Sequence, residues 1–86
     1  SGRGRELHLE TVDVVSGSSL IGQTMGQAKD KAGITVLAMR KQNGNLIPNP
    51  PDGDIMEEGD RLIIIGTKQR LGALEKILTG KKRGKE

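Results

Sequence analysis

Eighty-six residues, with Lys and Arg exceeding Asp and Glu by three, set the scale of one small domain near the lower end of what folds alone. The chain has no cysteine, which excludes disulfides, thiolate chemistry and cysteine-ligated zinc and suits a reducing compartment. It also has no Phe, Tyr or Trp, which removes the stacking platforms of single-strand nucleic-acid sites and leaves a core of Ile, Leu, Val, Ala and Met.

Residues 1–6 are polar and Gly/Arg-rich, the composition of a flexible arm or cloning remnant. Leu7 to Val15 reads as a first strand. Leu7, Leu9, Thr11, Asp13 and Val15 share one face, with His8, Glu10, Val12 and Val14 on the other. The turn-forming Ser16 to Ser19 follows, then a short helix near Thr24 to Ala32. Thr24 and Gln27 are spaced as a capping box, Met25, Ala28 and Ala32 form a thin apolar stripe, and Gly33 is placed for a left-handed C-cap.

A second strand runs from Ile34 to Lys41. Asn43-Gly44 is a strong hairpin signal, so Asn45 to Ile47 is the returning strand, ended at Pro48. Pro50, Pro51, Asp52 and Gly53 make a rigid connection, and Glu58-Gly59-Asp60 is a turn opening the strand Arg61 to Gly66. Thr67 caps a last helix to about Thr79, with Leu71, Leu74, Ile77 and Leu78 on one side. Residues 80–86 hold Lys81, Lys82, Arg83 and Lys85, so the basic excess belongs to the ends and the middle is slightly acidic. This tail is expected to be disordered, a solubilising end more than a surface for nucleic acid or anionic lipid.

The expected fold is therefore α+β: a single β-α-β-β-β-α module over 7–79 with a mostly antiparallel sheet and both helices on one face. Ile34 to Met39 and Leu62 to Ile65 are apolar or β-branched at nearly every position, the pattern of strands covered on both faces. Two helices cover one face, so the other is expected to close against an identical chain in a two-fold homodimer. The competing reading is a sheet that bends over itself into one core. No apolar run reaches the ~20 residues of a membrane span, and the start is too polar for a signal peptide.

Catalysis has little support, because the single histidine, His8, has no Ser or Cys arrangement around it. Asp52, Asp54, Glu57, Glu58 and Asp60 are the best metal-like cluster, but they lack the EF-hand pattern and read as solvated turns. No metal ligand is assigned. The better candidate is a ligand site on the hairpin and the segment after it: Arg40, Asn43, Asn45, Ile47, Pro48 and Asn49. Two hairpins meeting across a two-fold axis would line a symmetric cleft. Arg40 would offer a planar bidentate donor to a phosphate, Ile47 and Pro48 apolar walls for a base, and Asn45 or Asn49 amide hydrogen bonds. The competing reading makes Arg40 a solvated strand end and Asn43 merely the turn residue.

Three pieces in order, VVSGSSLIGQTMGQA, GITVLAMRKQNG and IPNPPDGDIMEEGDRLIIIGTKQRLGALEKIL, resemble the C-terminal ligand-sensing module of potassium-transport regulators, the TrkA C-terminal or RCK C-terminal family. Gln23 stands where the family usually has lysine and Met25 where it has leucine, and the likeness covers about Leu7 to Leu78. The resemblance implies a cytoplasmic regulatory module of a potassium channel or transporter, tethered to the membrane through a transport protein. Such a module senses a small ligand, cyclic di-AMP in some members, and passes its occupancy to the gate. The alternative is a purely structural dimerisation module with no ligand. The family usually adds an upstream Rossmann nucleotide-binding domain, of which no strand–GxGxxG–helix unit is found here. Composition and motifs together set the further expectation of no enzymatic activity and no nucleic-acid partner.

Overall fold

The structure, a computed structural model, describes residues 6–79; the expected arm and basic tail otherwise lie outside the described residues. The elements are β1 (His8–Asp13), α1 (Met25–Ala32), β2 (Thr35–Arg40), β3 (Leu46–Pro48), β4 (Arg61–Gly66) and α2 (Lys68–Thr79). They form one antiparallel four-stranded sheet of order β1-β4-β2-β3. β1 and β2 run parallel to each other, but β4 sits between them, so the unit is a split β-α-β.

The helices start where the sequence says and for the expected reasons. In α1 the Thr24 hydroxyl accepts from the Gln27 N–H, and the Gln27 side chain accepts from the Thr24 N–H. The Met25 and Gly26 N–H groups donate to the Asp54 and Asp52 carbonyls, so the segment after the prolines satisfies donors that a helix start leaves open. Gly33 ends the helix at φ 66°, ψ 38°, and its N–H donates to the Lys29 carbonyl. Thr67 caps α2, its hydroxyl accepting from the Arg70 N–H.

Both helices cover the same face of the sheet. Met25, Ala28 and Ala32 of α1 and Leu71 and Leu74 of α2 join Val36, Met39, Leu62 and Ile64 in one core, with Val14, Leu20 and Met56 from the loops. The hairpin differs in detail from a two-residue Asn-Gly turn. That turn requires positive φ at both central residues, yet here only Gly44 has it, at 94°, among residues 42–44. The Lys41 N–H donates to the Asn45 carbonyl and the Gly44 N–H to the Lys41 carbonyl, giving a three-residue loop closed by a left-handed glycine.

The opposite face of the sheet is open and apolar. Leu9 is 62% exposed, Leu37 42% and Leu46 47%, beside half-buried Ile63 and Ile65. The doubly apolar strands are therefore covered on one side by this chain's own helices and on the other by nothing among the described residues. A sheet bent over itself is not what forms.

Candidate functional site

Register decides which hairpin residues meet. Arg40 lies opposite Leu46, Met39 opposite Ile47 and Ala38 opposite Pro48. Side chains alternate faces along a strand. Met39 is in the core, so Arg40, Ala38, Leu46 and Pro48 share the open face. Ile47 goes the other way and packs against the core cluster. The apolar wall beside Arg40 is therefore built by Leu46 and Pro48, with Ile47 beneath them as an anchor.

The three asparagines have separate places. The Asn43 side-chain oxygen accepts from the Asn45 N–H at 2.9 Å, an Asx turn that commits Asn43 to hairpin geometry. Asn45 and Asn49 are exposed. Asn49 follows Pro48 in a left-handed conformation, φ 48°, and its N–H donates to the Leu37 carbonyl at 2.7 Å. Asparagine tolerates that region better than most residues, and the hydrogen bond fixes its orientation at the end of β3.

Arg40 is exposed, and its Nη1 donates to the Gly44 carbonyl at 2.9 Å. Among the described residues it has no carboxylate partner. Arg61, its cross-strand neighbour on β4, is held by Asp13, with Nε to Oδ1 at 2.6 Å. Hydrogen bonding from Arg61 is the main force holding the Asp13 carboxyl below its ordinary value; slight desolvation opposes it and the Arg61 charge adds to it. Arg61 and Asp13 were not among the sequence candidates. The strand alternation puts Asp13 on the same face as Leu9, and the β1–β4 register supplies its partner, Arg61.

The acidic segment does not converge. Asp52 pairs with Lys29 at 2.9 Å, while Glu57 and Asp60 both reach Lys41, at 2.9 and 2.6 Å. Among the described residues no three His, Cys, Asp or Glu groups gather as metal ligands would. Asp60 is a structural node. Its buried Oδ2 accepts from Lys41 and from the Glu57 N–H, and its carbonyl accepts from the Val14 N–H, tying β1, β2 and the turn together. Among the described residues no helix is long and apolar enough to cross a membrane.

Comparison with known proteins bears on these features. The TrkA-C domain family model matches residues 9–79. The K(+)/H(+) antiporter subunit KhtT of Bacillus subtilis (strain 168) is 32% identical over 71 residues, covering 80% of this chain and 43% of that protein. This chain therefore spans less than half of that relative. The fold matches the RCK_C domain dimer of S. agalactiae BusR in complex with c-di-AMP, with TM-score 0.74 and 19% identity over 85% of this chain and 97% of that one. It also matches the RCK C domain of the potassium transport protein KtrA in complex with c-di-AMP, with TM-score 0.69, 25% identity and 85% of each chain covered. The α+β module agrees with both solved domains, and the BusR domain is described as a dimer, as expected of this chain.

One expectation is corrected. BusR has also been solved in complex with its busAB-promotor DNA, and this chain matches it with TM-score 0.72 and 20% identity over 80% of its own length and 34% of BusR's. Excluding a nucleic-acid partner therefore does not stand. The missing aromatics concern base stacking by these residues alone, and a module that fills a third of a DNA-bound chain does not determine what the whole chain binds.

Proposed function

Because this chain belongs to the TrkA-C domain family, a non-catalytic regulatory class, we propose that it is the ligand-sensing and dimerisation module of a potassium or other cation transport system. The ligand it fits best is cyclic di-AMP, held where two open faces meet. The observation that carries this reading is Arg40. It is an exposed guanidinium beside the apolar Leu46 and Pro48; among the described residues it has no carboxylate partner and its sheet face has no cover.

Each subunit would bring one Arg40 to one phosphodiester, with Leu46 and Pro48 against the adenine and Asn45 and Asn49 donating or accepting at its edge. A two-fold ligand matches a two-fold cleft. Occupancy would favour one relative orientation of the two subunits, and a neighbouring pore on the cytoplasmic side of the membrane would read that orientation. The ligands of KtrA and BusR support the choice of nucleotide, and the KhtT relative supports the transport setting.

A second reading, a dimerisation module with no ligand, is favoured by the bond from Arg40 to its own turn and by Asn43 being committed there. Calorimetric titration with cyclic di-AMP, run beside light scattering, separates the two. The sensing reading expects saturable heat at one nucleotide per dimer, lost in Arg40→Ala while the dimer persists. A folded dimer that gives no heat removes it and leaves the structural reading.

A further inference from the structure

The open face carries a second guanidinium next to Arg40. Register places Asp13, Arg61, Arg40 and Leu46 in one row across all four strands. Side chains directly opposite in antiparallel strands stand about 5 Å apart at Cβ. Arg61 is thus flanked by Arg40 on one side and Asp13 on the other. Its Nε and Nη2 donate to the two oxygens of Asp13 at 2.6 and 3.3 Å, the two-pronged geometry that a phosphate also accepts. Two like charges side by side are unfavourable, and Asp13 neutralises just one of them. Each subunit is left with one uncompensated positive charge in this row.

We propose that Arg61 is a second phosphate-binding residue of the same cleft, and that Asp13 occupies it while the cleft is empty; this rests on the reading of Arg40 given above. The Asp13 and Arg61 side chains are both more than half exposed, so their pair is weak and an incoming anion can displace it. The charge balance also specifies the ligand class. A phosphodiester carries one negative charge per phosphate, matching the single free positive charge of each row. Two rows and a cyclic dinucleotide neutralise each other. A phosphomonoester brings about two charges, and the surplus falls beside the Asp13 carboxylate, so Asp13 selects against it. Asp13 therefore acts twice, lowering affinity for the diester slightly and for monoesters more.

Titration of cyclic di-AMP and of AMP into the dimer tests this with Asp13→Asn, Arg61→Gln, the double variant and Arg40→Ala. Asp13→Asn should tighten cyclic di-AMP about two- to fivefold and gain more for AMP. Arg61→Gln should weaken cyclic di-AMP about tenfold, and the double variant, which also removes the Asp13 charge, should recover part of that loss. In the unmodified protein the Arg61 Nε–Hε resonance should move on adding cyclic di-AMP. If Arg40→Ala abolishes binding while the Asp13 and Arg61 variants and that resonance are unchanged, the second donor is wrong and the reading of Arg40 survives. If Asp13→Asn weakens binding, Asp13 is a ligand contact and not a competitor. If the wild-type dimer gives no heat, both ideas fall together.

Discussion

Removing Lys41 should destabilise this domain more than removing its partner Asp60. Asp60 is 1% exposed; its Oδ2 accepts from Lys41 Nζ at 2.6 Å and from the Glu57 N–H at 2.8 Å, and its buried Oδ1 has no partner among the described residues. Lys41→Met leaves that carboxylate with one neutral donor and no cation. Stripping one partner from a buried ion pair costs about 3–5 kcal/mol. The Lys41 side chain is 20% exposed, so water can approach from its side, and a loss of about 3 kcal/mol is the better figure. In Asp60→Ala the lysine keeps Glu57 Oε1 at 2.9 Å and has a route to solvent. What is lost there is an acceptor for the Glu57 N–H and some volume, partly offset because an unpaired buried oxygen goes too; about 1–2 kcal/mol follows. The double variant should resemble Asp60→Ala, because no orphaned charge remains. Urea unfolding at one fixed protein concentration reads all three, since dimerisation couples stability to concentration. With a domain of this size holding about 5–15 kcal/mol in total, the differences are large. The reasoning fails if Lys41→Met costs less than Asp60→Ala, or if the double variant is less stable than Lys41→Met.

Three further outcomes are expected. Burial alone would pull the Lys41 pKa below its ordinary 10.5, but hydrogen bonds to Asp60 and Glu57, with their charges, more than reverse this and raise it. A raised lysine contributes fully below 10.5 and loses its contribution as pH climbs through the higher folded value; unfolding midpoints should therefore drop above 10.5 in the wild type, and far less in Lys41→Met. Asn49→Val should cost about 1–3 kcal/mol by thermal unfolding, whereas Asn49→Gly should be close to neutral, because φ 48° excludes a β-branched side chain and suits glycine. Ile63→Asp places a charge in the middle of the open face, between Thr11 and Ala38. It should raise the dimer dissociation constant about a hundredfold while leaving the helical circular dichroism intact, as light scattering would report.

Most of the fold was legible because local signals and burial patterns agreed. The capping box at Thr24, the glycine after Ala32 and the Asn43-Gly44 turn each set an element boundary that the structure keeps. The doubly apolar β4 announced a covered sheet with one face to spare. What the sequence did not reveal was pairing. Nothing local says that β4 enters between β1 and β2, so the row Asp13–Arg61–Arg40 could not be assembled from the chain alone. Ile47 was grouped with Pro48 because both are apolar and adjacent, although adjacency on a strand puts them on opposite faces. Asn43 stood among the candidate ligand residues with the turn role as its alternative, and its oxygen is committed to the turn. The buried role of Asp60 was hidden for a related reason: an acidic turn looks solvated until the lysine that reaches into it is known.

The central place of β4 also has a temporal consequence. β1 touches β4 along its whole length, with His8 beside Gly66, and β2 pairs with the same strand on its other edge. Until Arg61 to Gly66 have been made, residues 6–60 hold only the β2–β3 hairpin and a β1 that has no strand to pair with. Such long-range closure slows folding, and it also means that the apolar face cannot be assembled early. The surface most prone to meeting the wrong partner comes into being in the same step that makes the domain whole.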